Sequence, residues 1–258
     1  VLLLHGGALT CQTWDYVAVA LRRRFRLLAL DMRGHGASGW ASDYHLARFA
    51  EDSLDVLNSL GIERAHLCGM SLGGVAAAET ALAAPHRALS LTMIDVGPGS
   101  VFEASARLRG FIQGINTAPS VEHVVTEAMR LNPLGDRERV DYRMRALLRD
   151  LPSGEVAWKR DSRRMTDFPH IMRRIGELTG RVGAFPAPAL IIRGGRSRMF
   201  LEDSAAAFAA LFPDGRQVTI AGAGHNVQED QPLALAAALL AFWAGWNSPE
   251  KRGDSSAA

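Results

Sequence analysis

Cysteine is scarce. Only Cys11 and Cys68 occur in 258 residues, too few for a disulfide framework and too far apart in sequence for a thiolate metal pair. A reducing compartment follows as the expectation, and the chain is assigned to the cytoplasm. Charge of one sign is also lacking, since 29 Lys plus Arg stand against 27 Asp plus Glu and leave only +2. Such a balance gives no general grip on nucleic acid. Lysine itself is confined to Lys159 and Lys251, so the cationic side is almost wholly arginine. No long hydrophobic run is present. The longest, Leu233 to Trp246, has 14 residues, short of the roughly 20 that span a bilayer, and is expected to be a packed C-terminal helix rather than an anchor. Val1 to Gly7 has neither a basic lead nor a small-residue cleavage site and is not expected to be a signal peptide. The zinc pattern His-Glu-x-x-His and the phosphate loop G-x-x-x-x-G-K-[ST] are missing, and no metal or other cofactor is expected.

What is present can build a sizeable core, because 48% of the residues are hydrophobic and 22% charged. The first 98 residues repeat a short apolar run followed by a helix-like stretch, the pattern of a parallel sheet. Strands are expected at Val1 to Leu4, Phe25 to Leu30, Ala65 to Cys68 and Leu89 to Ile94, with helices at about 13–23, 46–60 and 73–83. Pro85 supports a helix end just before it. The theme returns with strands at Ala189 to Ile192 and Gln217 to Ile220 and helices near 202–211 and 232–246. Between the halves, residues 99–184 carry helical patterns at Val121 to Arg130, Arg137 to Arg149 and Ile171 to Leu178, and no strand-like run. Their excess of four positive charges is spread over helix faces and reads as solvated surface. Phe102, Phe111, Met144, Trp158 and Met165 are expected to form the core of this insertion. The tail after Asn247 is polar and low in complexity and is expected to be disordered.

Gly69-Met70-Ser71-Leu72-Gly73 follows the strand ending at Cys68 and opens a small-residue helix. A serine forced into so sharp a strand-to-helix turn exposes its hydroxyl, and the turn is tolerated only where the residues two before and two after have almost no side chain. Serine needs a base at neutral pH, and histidine has a suitable pKa. Of eight histidines, His225 is best placed, on the loop Ala221-Gly-Ala-Gly224-His225 directly after the last strand. Its competing reading is an ordinary surface residue. His5-Gly6-Gly7 ends the first strand and would bring backbone N–H groups close to Ser71, so Gly7 and Leu72 are assigned as donors to an oxyanion. His5 is read as shaping that loop.

These segments together resemble the α/β-hydrolase superfamily. His5-Gly6, Asp31-Met-Arg33-Gly34-His35-Gly36-Ala-Ser38, Gly69-Met-Ser71-Leu-Gly73, Asp95-Val-Gly97-Pro98 and Gly224-His225 match the family's motifs in the family's order. The resemblance implies an α/β fold, a mostly parallel sheet flanked by helices. Its core would be residues 1–98 and 185–246, with a helical cap at 99–184 and a tail at 247–258. It also implies loop scaffolding for Arg33 and His35. Relatives begin with two further strands ahead of the His-Gly loop, which this sequence lacks, as a chain cut short upstream would.

Many relatives carry the acid of a Ser-His-Asp triad as an Asp after the next-to-last strand. Here that loop reads Arg193-Gly-Gly-Arg-Ser197-Arg198-Met199, which places Arg198 where the Asp is usual. An arginine cannot accept the histidine's Nδ1 proton. Asp95 is the first choice for the acid, because it ends the strand after the one holding Ser71; Asp203 or Glu202, or no acid at all, are the alternatives. Ser71 in place of an Asp nucleophile argues against a dehalogenase or epoxide hydrolase. The expected activity is therefore hydrolysis of small carboxylic esters or lactones with apolar groups, through an acyl-enzyme on Ser71. Carbon–carbon bond hydrolysis, perhydrolysis or a catalytically inactive binding module are the competing functions. No nucleic acid or membrane partner is expected, and the oligomeric state is left open.

Overall fold

The structure is a computed structural model, and it describes residues 1–101, 117–131, 136–161 and 168–244. Six strands, β1 (Leu2–Leu4), β2 (Leu28–Leu30), β3 (Ala65–Met70), β4 (Ala88–Ile94), β8 (Ala189–Gly194) and β9 (Gly215–Ile220), form one sheet in the order β2-β1-β3-β4-β8-β9. Every pairing is parallel. All six strands expected from the sequence form, shifted by up to three residues at their ends.

A parallel sheet needs crossovers that cover both faces, so its strands are apolar on both sides. Alternation along β1 shows the division: Leu2 and Leu4 join one buried cluster with Leu67, Leu91 and Ile191, whereas Leu3 joins another with Cys68, Ile94 and Ile192. The first face is covered by α2 (Leu46–Ser59), α3 (Leu72–Ala83) and α7 (Glu202–Ala209), through residues such as Phe49, Ala77 and Phe208. The second is covered by α1 (Asp15–Leu21) and α8 (Pro232–Ala244), through Val17, Leu21, Leu239 and Trp243. The C-terminal apolar run is thus a packed helix over its described residues, Leu233 to Ala244. Among the described residues no helix is long and apolar enough to cross a membrane.

The chain runs from β1 outward to β2 and then returns past β1 to β3, so the direction of winding reverses between β1 and β3. Ligands of open parallel sheets bind beyond the carboxyl ends of the strands at such a reversal. The turns after β1 and β3 carry Gly7 and Ser71.

Between β4 and β8 the described residues hold α4 (Val121–Leu131), α5 (Arg137–Leu147) and α6 (Phe168–Glu177). They also hold a small antiparallel sheet, β5 (Thr117–Ala118), β6 (Leu148–Asp150) and β7 (Val156–Trp158), in the order β5-β7-β6. This corrects the expectation of an insertion without strands. Runs of two or three residues are too short to show alternation, and β6 continues directly from α5. Met144 and Trp158 are buried in the insertion's own cluster with Val124, Val140 and Leu148; Phe102, Phe111 and Met165 lie outside the described residues, as does the tail. Ile175 and Leu178, farther along, pack into the cluster that holds α3.

Candidate active site

Ser71 stands between β3 and α3 with φ +51° and ψ −119°, a left-handed conformation that costs a non-glycine residue energy. Its N–H bonds to the carbonyl of Ile94 at 2.9 Å. The flanking glycines are dictated by backbone. A Cβ on Gly69 would lie 2.0 Å from the carbonyl oxygen of Gly73, and one on Gly73 would lie 2.2 Å from that of Leu4. Leu72 supplies the first N–H of α3, which has no carbonyl one turn earlier to bond. The Gly6-Gly7 turn lies alongside: a Cβ on Gly6 would meet Ser71 Cβ at 3.5 Å, and one on Gly7 would meet Leu72 Cβ at 3.9 Å.

Asp95 follows β4, is fully buried and also has positive φ, +52°. Its N–H bonds to Ile192 O at 2.7 Å and its Oδ1 accepts the Gly194 N–H at 2.9 Å. Oδ2 accepts from His225 Nδ1 at 2.7 Å and from the Ser197 hydroxyl. An ionised carboxylate only accepts hydrogen bonds, so this contact places the histidine proton on Nδ1 and leaves Nε2 as a lone-pair base. His225 is about one quarter exposed. Its loop is fixed from behind by Gly224 N–H donating to Asp230 Oδ2 at 2.7 Å.

The alternative acids stand elsewhere. Glu202 and Asp203 are exposed at the start of α7, and the Glu202 carboxylate lies 3.6 Å from Arg193 instead. Arg198 is exposed too. Its predecessor Ser197 turns inward, because the Ser197 N–H closes a turn onto Gly194 O at 2.9 Å. Ser197 is a residue the sequence reasoning missed; its signal was the three-residue step from Gly194 at the strand end.

His5 and His35 explain how the Gly6-Gly7 turn keeps its place. His5 is buried, accepts the Met32 N–H on Nε2 at 3.0 Å and donates from Nδ1 to Gly6 O at 2.8 Å. Burial pushes its pKa down to about 4. His35 accepts the Ala8 N–H on Nε2 at 3.2 Å, and burial likewise holds it well below its ordinary value. The two rings meet edge to face at 4.7 Å. Ala8, with φ +62°, completes a set: the positive-φ residues other than glycine among those described are Ala8, Ser71 and Asp95. Asp31 ties the same region, accepting from the N–H groups of Cys11 and Ala37 at 2.7 and 2.9 Å. Arg33 pairs with Asp52 at 2.6 Å. Among the described residues no cluster of three or more His, Cys, Asp or Glu could hold a metal ion.

A family model for the α/β hydrolase fold matches residues 1–232. The chain belongs to the α/β-hydrolase family. This α/β hydrolase is 31% identical over 247 residues to the esterase Rv0045c of Mycobacterium tuberculosis, covering 91% of this chain and 79% of that protein. It is 27% identical to the esterase YbfF of Escherichia coli, covering 94% and 92% of the two chains. A solved structure of the M. tuberculosis esterase superposes with a TM-score of 0.80 at 29% identity, over 94% of this chain and 84% of that one. Within the α/β hydrolase, Ser71, Asp95, His225 and Gly7 stand on the loops after β3, β4, β9 and β1, all at the carboxyl edge of one sheet.

Proposed function

We propose that the protein is a serine hydrolase that cleaves small carboxylic esters or lactones through an acyl-enzyme. The observation that carries this reading is the 2.7 Å bond between His225 Nδ1 and the buried Asp95 carboxylate, on the sheet edge where Ser71 stands in its strained turn. His225 Nε2 takes the Ser71 proton as the hydroxyl oxygen attacks the ester carbonyl. The N–H groups of Gly7 and Leu72 hold the oxyanion that forms. His225 then protonates the departing alcohol, activates water against the acyl-enzyme and returns the proton to Ser71. Asp95 keeps the imidazole in the right tautomer and balances its charge when protonated. Ser197, on the same carboxylate oxygen, fixes the acid that orients the base. The segment between β4 and β8 is read as a cap over this site.

The esterases Rv0045c and YbfF support an ester substrate. A binding module without chemistry drew its motive from Arg198, and that motive lapses once Asp95 supplies His225 with a carboxylate. The test is hydrolysis of p-nitrophenyl acetate, butyrate, octanoate and laurate by wild type and Ser71→Ala. Turnover in the wild type is expected to fall by about 10⁶-fold in the variant, and a fluorophosphonate probe is expected to label Ser71. Near-wild-type turnover by Ser71→Ala would refute the assignment. Activity on a β-diketone with none on any ester would move the substrate to a carbon–carbon bond.

A further inference from the structure

The segment after β7 returns from the insertion to the core and docks on the loop after β2. Gly36 N–H donates to Lys159 O at 2.7 Å and Asp161 N–H donates to Gly34 O at 2.8 Å, so that His35 and Arg160 face each other as one antiparallel bridge. Asp161 grips the loop a second time through its side chain. Its Oδ2 accepts from the Tyr44 hydroxyl at 3.0 Å, and that hydroxyl oxygen accepts the Ala41 N–H at 3.0 Å. The Tyr44 ring lies on Gly34, where φ is +74° and a Cβ would stand 2.5 Å from the ring. Asp161 itself is fully buried, and a buried carboxylate is fixed by the donors it must have. Tyr44 and Asp161 thus clasp Gly34 between them.

The clasped loop carries His35. Its ring is fully buried, with Nδ1 on Arg33 O at 3.1 Å and Nε2 accepting the Ala8 N–H at 3.2 Å. Ala8 is held at φ +62°, a conformation that a residue with a Cβ keeps only where its surroundings impose it. The bond to His35, with the clasp behind it, is part of that imposition. Gly7, one residue earlier, has no side chain of its own to anchor it, so its N–H keeps its direction through its neighbours. A chain of contacts therefore runs from the insertion at Asp161, through Gly34 and His35, to the turn beside Ser71.

We propose that Asp161 is a positioning residue for ester cleavage: through Tyr44, Gly34 and His35 it holds the turn at Ala8, and with it the Gly7 N–H, in the direction an oxyanion needs. The proposal rests on Ser71 as nucleophile and Gly7 as oxyanion donor. It is tested on the whole protein with an octyl trifluoromethyl ketone. Ser71 Oγ adds to its carbonyl carbon, the hydroxyl proton passes to His225 and the carbonyl oxygen becomes the oxyanion, with no group leaving. The corresponding alcohol cannot form this adduct and reads binding in the pocket alone. Tyr44→Phe, which removes one hydroxyl, and Asp161→Ala are each expected to weaken the ketone and lower kcat for the best p-nitrophenyl ester by about tenfold, less than the roughly 10²–10³-fold that deleting an oxyanion donor costs. KM and inhibition by the alcohol are expected to stay at wild-type values. Tyr44→Phe decides the matter even if Asp161→Ala does not fold. Glu79→Gln, which loosens the insertion at a different contact with Arg174 and Arg181, is expected to leave the ratio of ketone to alcohol inhibition unchanged. Unchanged ketone inhibition in Tyr44→Phe, or an equal loss in Glu79→Gln, would overturn the role of Asp161 and leave Ser71 in place. A wild type that the ketone does not inhibit would refute the serine reading, and this proposal with it.

Discussion

Leu3, Cys68, Ile94 and Ile192 lie on the central sheet, buried in an entirely hydrophobic cluster, while on α5 of the insertion Arg145 pairs with Asp141 in open solvent. The contrast extends to the polar groups. In the sheet's loops His5, His35 and Asp95 are buried and bonded to backbone N–H or C=O groups fixed by the strands. Around the insertion, polar contacts run between long side chains: Arg130 with Glu127, Arg137 with Glu122, Arg143 with Glu229. Buried bonds to the main chain allow one geometry, whereas exposed ion pairs contribute roughly 0–1 kcal/mol and re-form in several. The loops that carry Ser71, Asp95 and His225 are thus held by buried bonds to the main chain, whereas the insertion, packed on its own apolar cluster, carries exchangeable ion pairs on its surface.

The largest effect expected from disturbing the rigid side is in turnover. Asp95→Asn should lower kcat by about 10⁴-fold, since an amide at this position no longer fixes the productive tautomer of His225. Steady-state kinetics on the best ester of the panel measures this, and unchanged kcat would remove Asp95 from the mechanism.

Acid should destabilise the sheet through two buried histidines, His5 after β1 and His66 in β3. His5 and His66 have folded values near 4 against an ordinary 6.5, in both cases chiefly through burial. A histidine lowered in this way contributes stability that is complete above about pH 6.5 and is lost as the pH falls toward 4, because the unfolded chain takes up the proton first. Each contributes on the order of 2–3 kcal/mol over that window. Urea midpoints measured from pH 7.5 down to 4.5 should fall steeply, and a flat profile would contradict burial of the neutral rings.

Glu79 on α3 joins the two regions by accepting from Arg174 and Arg181 at 2.7 Å each. Burial raises its pKa, but the bonds to Arg181 and Arg174 outweigh this and hold the carboxyl below its ordinary value. Glu79→Gln is expected to cost about 2 kcal/mol in chemical denaturation. A loss that disappears in high salt would place this pair with the exposed ones. Smallest of all, Arg145→Ala should change stability by less than about 0.5 kcal/mol, and a larger shift in melting temperature would blur the contrast between the two regions.

The sheet was legible in the sequence because a strand covered on both faces must be apolar throughout, and Leu2 to Leu4 or Leu89 to Ile94 can hardly be anything else. Ser71 was legible through Gly69 and Gly73, whose lack of side chains is forced by carbonyl oxygens about 2 Å from any Cβ. Asp95 was read from its place at a strand end. The antiparallel strands β5 to β7 were not legible, being two or three residues long, and neither was the inward turn of Ser197 beside the exposed Arg198. A serine in a polar turn carries no mark of burial in its own sequence; only the approach of β4 and β8, paired side by side, brings it to Asp95.

The left-handed backbone at Ser71 sets two kinds of selection against each other. Glycine takes this conformation without steric cost, so Ser71→Gly relieves strain in the folded chain while removing the hydroxyl. A library of variants sorted by heat resistance alone would drift toward glycine at position 71, and one sorted by turnover would hold serine. Comparing the residue frequencies of the two sorted pools would therefore test the role proposed for Ser71 with no knowledge of the natural substrate.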